Sequence, residues 1–213
     1  MVMLSDMKTP AQRRTQAERS AATRTVILEA AIDCLCLHGY GATTTVLVAK
    51  TAGVSRGAML HHFPTRRDLI FAAAELAIKR NRDFLDQSGS AVEHDRERYA
   101  KLPDRRWALA LQPSSTALLE IIVGARSDVA VREGFADFGR RLASGRQRRL
   151  QDGATRAGVP FDAEQQAVSR AIAFAIRGMA IEKQLDERFD PEPVLDVLRK
   201  LKLDAMDRGG DAS

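Results

Sequence analysis

Thr43–Phe63 reads TTTVLVAKTAGVSRGAMLHHF, two short helices joined by a tight turn. Thr43 or Thr44 can cap the orphan amides of the first helix, and Val48, Ala49 and Ala52 then share one face at helical spacing. Gly53 is placed to stop that helix, because glycine enters the left-handed region without steric cost. Val54 fills the corner, and Ser55 stands where it can cap the second helix. Met59 and Phe63, four apart, point inward, which leaves Arg56, Gly57, Ala58, Leu60, His61 and His62 on the outer side or its edges. A cap, a glycine corner and a short second helix with a small, polar, basic start describe a helix-turn-helix. The same spacing also fits an ordinary pair of core helices, so the flanking sequence decides between them.

The chain has 213 residues and a formal net charge of +5. Between Met1 and Arg67 nine basic residues face four acidic ones, whereas the remainder holds 24 of each. All of the positive excess therefore accompanies the helix-turn-helix, which implies a polyanionic partner for that segment alone. Hydrophobic residues make up 45% and charged residues 29%, a globular balance in a chain long enough for one domain or two. No run of about 18 apolar residues marks a membrane span. The first residues lack the apolar core of a signal peptide, so a cytoplasmic location and no membrane partner are expected. Cys34 and Cys36 fall on different faces of a helical pattern, unsuited to a mutual disulfide or a shared metal.

Residues 1–19 are polar with scattered basic side chains and read as a flexible basic tail, either a solvated leader or an arm that tracks phosphates. A helix over Ala21–His38 follows from Ile27, Ala31, Cys34 and Leu35 on one face. Gly39 ends it and Tyr40 folds back over the core. Residues 20–67 thus make a three-helix DNA-binding domain. Thr65-Arg-Arg-Asp68 has capping-box character and opens a long helix to about Asp86, with Leu69, Ala72, Ala73, Leu76 and Ile78 inward. Arg66 and Arg67 at its amino end oppose the helix dipole at about 0.3–1 kcal/mol each, a sign that a bound phosphate would reverse.

From Ile27 to Leu69 the motifs I-L-x-A-A, G-Y, T-T-T, V-A-x-x-A-G-V-S and H-H-F-P-T-R-R-D-L resemble the DNA-binding domain of the tetracycline-repressor (TetR) family. The resemblance implies a homodimer that binds a palindromic double-stranded operator and represses a nearby gene until a small-molecule effector releases it. It implies phosphate contacts from Thr44 and Thr45, a major-groove face of Ser55, Arg56, Gly57, Ala58 and His61, and a phosphate contact from Arg66. Leu60 replaces a tyrosine that binds a phosphate in the family, and can touch a thymine methyl instead. Leu47 stands where an aspartate or another polar residue is common. Arg56 and His61 are the candidates for base edges; the threonines and Arg66 would position the domain without reading sequence.

Residues 68–207 read as a larger helical ligand-binding and dimerisation domain, and 208–213 as a second flexible tail, so the fold class is all-α. A bend at Ser88–Ser90 precedes a helix with a solvated face (Glu93, Arg96, Glu97). A short helix over Asp104–Leu111 carries Trp107, a candidate relay between the domains. Ser114–Arg126 follows with Leu118, Leu119, Ile121 and Ile122, and then Asp128–Arg156 with Val131, Phe135, Phe138 and Leu142 inward. The arginine-rich end of that helix (Arg140, Arg141, Arg146, Arg148, Arg149) is expected to be a solvated face with local acidic partners.

Asp162 can cap the next helix, with Gln165 in the capping-box position. Its stretch 171–181, AIAFAIRGMAI, is apolar all round apart from Arg177, and such a helix must be covered on every side. The chain's own helices can cover one side, and a second copy the other; a central helix in a monomeric bundle is the competing arrangement. Asp190 and Pro191 open a final helix with Val194, Leu198, Leu201 and Ala205 at coiled-coil-like spacing. The expected dimer interface is Ile172, Ile176, Ala180, Val194, Leu198 and Leu201, and the resemblance agrees, since the family's dimers use the last two helices. By resemblance, too, a pocket would be lined by Trp107, Leu111, Leu118, Ile122, Phe174 and Met179, implying a mainly apolar ligand. Arg177 would pair with an acid across the dimer or hold an anionic ligand. No nucleophile–base pair, metal-ligand set or phosphate loop is recognisable, so neither an enzyme nor a cofactor is expected. The other class that fits is a ligand-binding helical adaptor without sequence-specific DNA binding, which would have no use for the concentrated positive charge.

Overall fold

The computed structural model describes residues 15–88 and 94–208, and every regular element among them is helical. The first helix, α1 (Gln16–Ala42), begins five residues earlier than the spacing of apolar residues indicates. Thr15 and Glu18 form a capping box there, so the expected tail is already helical from Gln16, and residues 1–14 lie outside the described residues. Gly39, at φ 74°, breaks α1 internally and swings Tyr40 into the core, where it is 8% exposed.

The helix-turn-helix forms as its residues dictate. Thr44 caps α2 (Thr45–Thr51) by accepting from the Leu47 amide at 3.1 Å. Gly53 takes φ 64° at the corner, and Ser55 caps α3 (Arg56–His62) through the Ala58 amide at 3.1 Å. Met59 and Phe63 are buried beneath it. The long helix α4 (Arg66–Gln87) opens on the capping box of Thr65 and Asp68. Ser88 ends it; Gly89, Ser90 and Glu93 of the expected bend and helix lie outside the described residues.

Six further helices follow: α5 (Asp95–Ala100), α6 (Leu102–Ala110), α7 (Pro113–Gly124), α8 (Val129–Arg156), α9 (Ala163–Leu185) and α10 (Glu192–Arg208). Arg208, assigned by sequence to the second tail, is helical, the last of the described residues, and pairs with Glu164 at 2.6 Å. One hydrophobic cluster runs from Ile27 of α1 through α2, α3 and α4 to Ile121 of α7 and Phe138 of α8. The boundary expected at residues 67–68 therefore falls inside α4 and inside this shared core. A second cluster joins α9 and α10 to Trp107 of α6; a third packs Tyr99 of α5 against the end of α8 and Met206. Arg199 of α10 binds Asp104 of α6 at 2.5 Å, as well as Glu192 and Asp196, pinning α6 to α10. No single helix among the described residues is long and apolar enough to cross a membrane.

The two apolar helices at the end pack differently from the expectation. Ile172, Ile176, Ala180 and Leu198 are 0–7% exposed, and Leu201 is half-buried against the same cluster. Ile172, Ile176, Leu198 and Leu201 belong to the chain's own core between α6, α9 and α10, and Ala180 turns toward the internal cavity, so the face assigned to a partner is occupied intramolecularly. Only Val194 of the expected set lies open. The free faces are the complementary ones: Phe174, Ile181 and Leu185 on α9, and Val194 and Val197 on α10 are exposed. A helix apolar on all sides gives no signal of which stripe turns inward.

Candidate nucleic-acid interface and internal cavity

Ser55, Arg56, Gly57, Leu60 and His61 are exposed along α3, while Ala58 is half-buried. The Ser55 hydroxyl is used as the cap, leaving the α3 side chains to face outward from a rigid, locally satisfied turn. Neither Arg56 nor His61 has a hydrogen bond or ion pair among the described residues; the His61 ring meets that of His62 edge-on, at 5.3 Å between centroids. Partial desolvation and the neighbouring His61 and Arg24 charges push the His62 imidazole below its ordinary pKa, so His62 favours its neutral form. Arg24 lies over the Phe63 ring at 5.2 Å, bringing α1's cation to the same side as α3. At the start of α2, Thr44 is exposed and Thr45 half-buried. The structure thus gathers Thr44, Thr45, Ser55, Arg56, Gly57, Ala58 and His61 around one helix pair.

Arg66 departs from this group. Its Nε donates to the Thr43 carbonyl at 2.9 Å, one terminal nitrogen to Asp128 at 2.8 Å and the other to the Tyr40 carbonyl at 2.6 Å. Its guanidinium also stacks over the Tyr40 ring at 4.3 Å. With three of its five donors spent inside the chain, Arg66 fastens α1, α4 and α8 together, a role that the phosphate contact implied by resemblance did not include. Tyr40 completes the arrangement by donating its hydroxyl to Asp128 at 2.9 Å. That hydrogen bond, with the Val131 amide and Arg66 nearby, holds the Asp128 carboxyl below the usual carboxylate range.

Behind this region, a cavity of about 500 Å³ opens between α4, α5, α6, α7, α8 and α9. Of the residues expected to line a pocket or hold a ligand, Leu118, Ile122 and Arg177 face this cavity. Trp107 and Met179 instead pack in the α9–α10 cluster, while Leu111 and Phe174 point outward at 52% and 62% exposure. The reason is helical register. On α6 the cavity takes Leu102, Arg105, Arg106 and Leu109, and on α9 it takes Ala173, Arg177, Ala180 and Gln184. Trp107 and Phe174 each follow such a residue by one, about 100° around the helix.

The lining also differs in chemistry from the mainly apolar one expected. Eight arginines and three aspartates are among the described residues that line it. Two of them, Arg146 and Arg149, come from the run on α8 that reads in sequence as a solvated face. Arg106 was not singled out by sequence either; its only linear signal is an arginine pair on a short helix. Buried, with Arg146, Arg177 and Arg149 around it, the Arg106 guanidinium is pushed down to about 10.

Known proteins place this architecture. Residues 27–73 match the family described as bacterial regulatory proteins, tetR family. The HTH-type transcriptional regulator CymR of Pseudomonas putida is 35% identical over 134 residues, 58% of this chain and 61% of that relative's length. The chain thus spans about three fifths of that protein. The HTH-type transcriptional repressor AcnR of Corynebacterium diphtheriae is 34% identical over 143 residues, 65% of this chain and 71% of the relative. Among solved structures, a TetR transcription regulator from Haloarcula marismortui superposes with a TM-score of 0.64 at 21% identity, covering 89% of this chain and 98% of that one. That likeness shows the all-helical fold, an amino-terminal helix-turn-helix domain joined to a larger helical body. With the capped helix-turn-helix and the two relatives pointing the same way, the chain belongs to the TetR family of DNA-binding transcriptional regulators.

Proposed function

We propose that the chain is a homodimeric repressor that binds a palindromic operator through α3 and is released by a small molecule taken into the internal cavity. The observation that carries this reading is the outer face of α3, where Arg56 and His61 stand exposed on a turn whose own backbone needs are met by Ser55. An arginine free to form a bidentate pair with guanine contributes about 1–3 kcal/mol of discrimination. Thr44 and Thr45 are the phosphate contacts of this reading, and they set register without reading sequence.

Dimerisation is supported by the exposed stripe of Phe174, Ile181 and Leu185 on α9 beside Val194 and Val197 on α10, apolar area that a second copy would cover. Two copies related by a two-fold axis present their α3 helices to half-sites about 34–36 Å apart. The relative AcnR is a transcriptional repressor by name, which favours that sign of regulation. The effector acts only through its different affinity for the DNA-bound and released states. Helix α6 is the natural relay, since it lines the cavity with one side and touches α10 through Arg199 on another.

The test is selection of bound fragments from random duplex DNA. A two-fold-symmetric consensus with half-sites one helical turn apart supports the reading. Binding without any consensus, or recovery of single unpaired half-sites, refutes it.

A further inference from the structure

We infer that the internal cavity takes an anion with an apolar body, a carboxylate or other oxyanion whose charged end is held by Arg106, Arg146 and Arg177. This rests on the reading of the chain as a ligand-released regulator, and narrows the ligand's chemistry.

Arg106 carries the argument. Its Nε is buried without a hydrogen-bond partner, although buried donors are nearly always paired. The cations that act on it are Arg146, Arg177 and Arg149, opposed only weakly by the Tyr99 hydroxyl. Arg146, half-buried, also faces like charges, those of Arg177, Arg170 and Arg149. Neither Arg146 nor Arg177 makes an ion pair among the described residues, and no carboxylate is among the charges acting on Arg106 or Arg146. Two of the cavity's three aspartates lie toward other arginines, Asp95 facing Arg156 at 3.8 Å and Asp86 acting on Arg149, and the third, Asp152, makes no ion pair with Arg106, Arg146 or Arg177 among the described residues.

A second cation lies behind Arg106. Lys202 is fully buried, with its Nζ 3.1 Å from Gln165 Oε1 and 3.4 Å from the centre of the Tyr99 ring. Desolvation, then Arg106, pushes its ammonium down to about 7. Arg146 is half-buried and Arg177 and Arg149 are exposed, so the cost of gathering like charges falls on the buried Arg106 Nε unless a counter-ion sits among them. Guanidinium groups are suited to that ion, because their forked donors match an oxyanion bidentately. Leu118, Ile122 and Leu142 add apolar lining, and the volume lies within the range of small-molecule sites. An inorganic ion would leave that lining unused.

The test compares acids with their neutral amides on the full-length protein without DNA. The probes are octanoate, decanoate and 2-naphthoate against octanamide, decanamide and 2-naphthamide, with inorganic phosphate as a control, followed by calorimetry and thermal shift. The inference expects at least one acid to bind at least tenfold more tightly than its amide and than phosphate. It expects Arg106→Met and Arg146→Met each to lose at least tenfold in that affinity while melting no lower than the unsubstituted chain. Amides binding as well as acids, affinity unchanged in both variants, or no acid binding at all would overturn it. A parallel measurement of operator affinity separates the two readings. Acid binding that needs Arg106 but leaves DNA binding unaltered upholds the anion site and refutes ligand release. DNA release by the amides alone upholds ligand release and refutes the anion site.

Discussion

Arg66, the first residue of α4, and Asp128, the cap of α8, form an ion pair at 2.8 Å. The pair ties the start of the helix leaving the DNA-binding domain to the body that holds the cavity. Both side chains are about a quarter exposed, at 28% and 26%, so the interaction is partly shielded from water. Because Arg66 also donates to the Tyr40 and Thr43 carbonyls, its removal takes that donor from both, while Asp128 keeps the Tyr40 hydroxyl and the Val131 amide. Arg66→Ala is expected to cost about 1–3 kcal/mol, read as a melting-temperature drop of about 2–4 °C per kcal/mol. If Arg66 served DNA phosphates instead, the same change would weaken DNA binding at all sequences and leave the melting temperature unmoved.

The Asp128 carboxyl gives this fastener a pH dependence. Its folded pKa is depressed, first by the Tyr40 hydroxyl and then by the Val131 amide and Arg66. The stabilisation is therefore complete above the unfolded value of about 3.9 and disappears as pH falls through the lower folded value. Urea midpoints measured between pH 7 and pH 3 should show an acid loss that Asp128→Asn lacks. Parallel pH curves for the two proteins would contradict it.

Gly124, at the end of α7, meets Tyr40 so closely that an added Cβ would lie 2.1 Å from the ring. The obstruction is the base of an aromatic ring, not the end of a flexible chain. Gly124→Ala should destabilise by about 1–3 kcal/mol, despite alanine's better helix propensity. An unchanged or raised denaturation midpoint would show that the Tyr40 ring has room to move.

How much of this was legible in the sequence follows from which signals are local. Thr44, Gly53, Ser55 and the Thr65–Asp68 box each act within a few residues of themselves, and each caps or turns the backbone where expected. Thr15–Glu18 is the same kind of signal, and reading it would have started α1 at the right place. Arg66 looked like a phosphate ligand because its partners, Tyr40, Thr43 and Asp128, are up to 62 positions distant. Charge runs mislead for a related reason: Arg146 and Arg149 resemble Arg140 and Arg148 in sequence, yet only the first two turn toward the cavity. The register of α9 was hidden by its uniform apolarity, which is why the buried stripe with Ile172 and the open stripe with Phe174 were exchanged.

Those two stripes make opposite predictions. Ile172 is fully buried and Phe174 is 62% exposed. Phe174→Asp, or Ile181→Asp on the same side, should halve the mass in light scattering while keeping the helical circular-dichroism signal. Ile172→Asp should unfold the chain, since an isolated buried carboxylate is among the most damaging changes. A Phe174→Asp protein that keeps the mass of a dimer would remove α9 from the interface.

Lys202 predicts a second pH effect, of opposite sense to a gained ion pair. Burial, then Arg106, pushes its ammonium down to about 7, whereas in the unfolded chain it titrates near 10.4. Between those values the unfolded state binds more protons, so stability rises with pH across that window, and the burden of burying the charge is complete below pH 7. Lys202→Met should flatten this rise between about pH 7 and pH 10, as followed by denaturant midpoints. An equal slope in both proteins would mean that the lysine remains protonated in the fold.

The account depends above all on α3 reading duplex sequence through Arg56 and His61. The most direct measurement is the affinity of the chain, and of Arg56→Ala with His61→Ala, for its selected duplex and for a scrambled one across a salt series. Specific binding should exceed scrambled binding by at least ~10³-fold. The double substitution should erase most of that ratio while leaving the salt-dependent affinity for scrambled duplex largely in place. A ratio that survives both substitutions, or a chain with no duplex affinity even at low salt, would contradict the account.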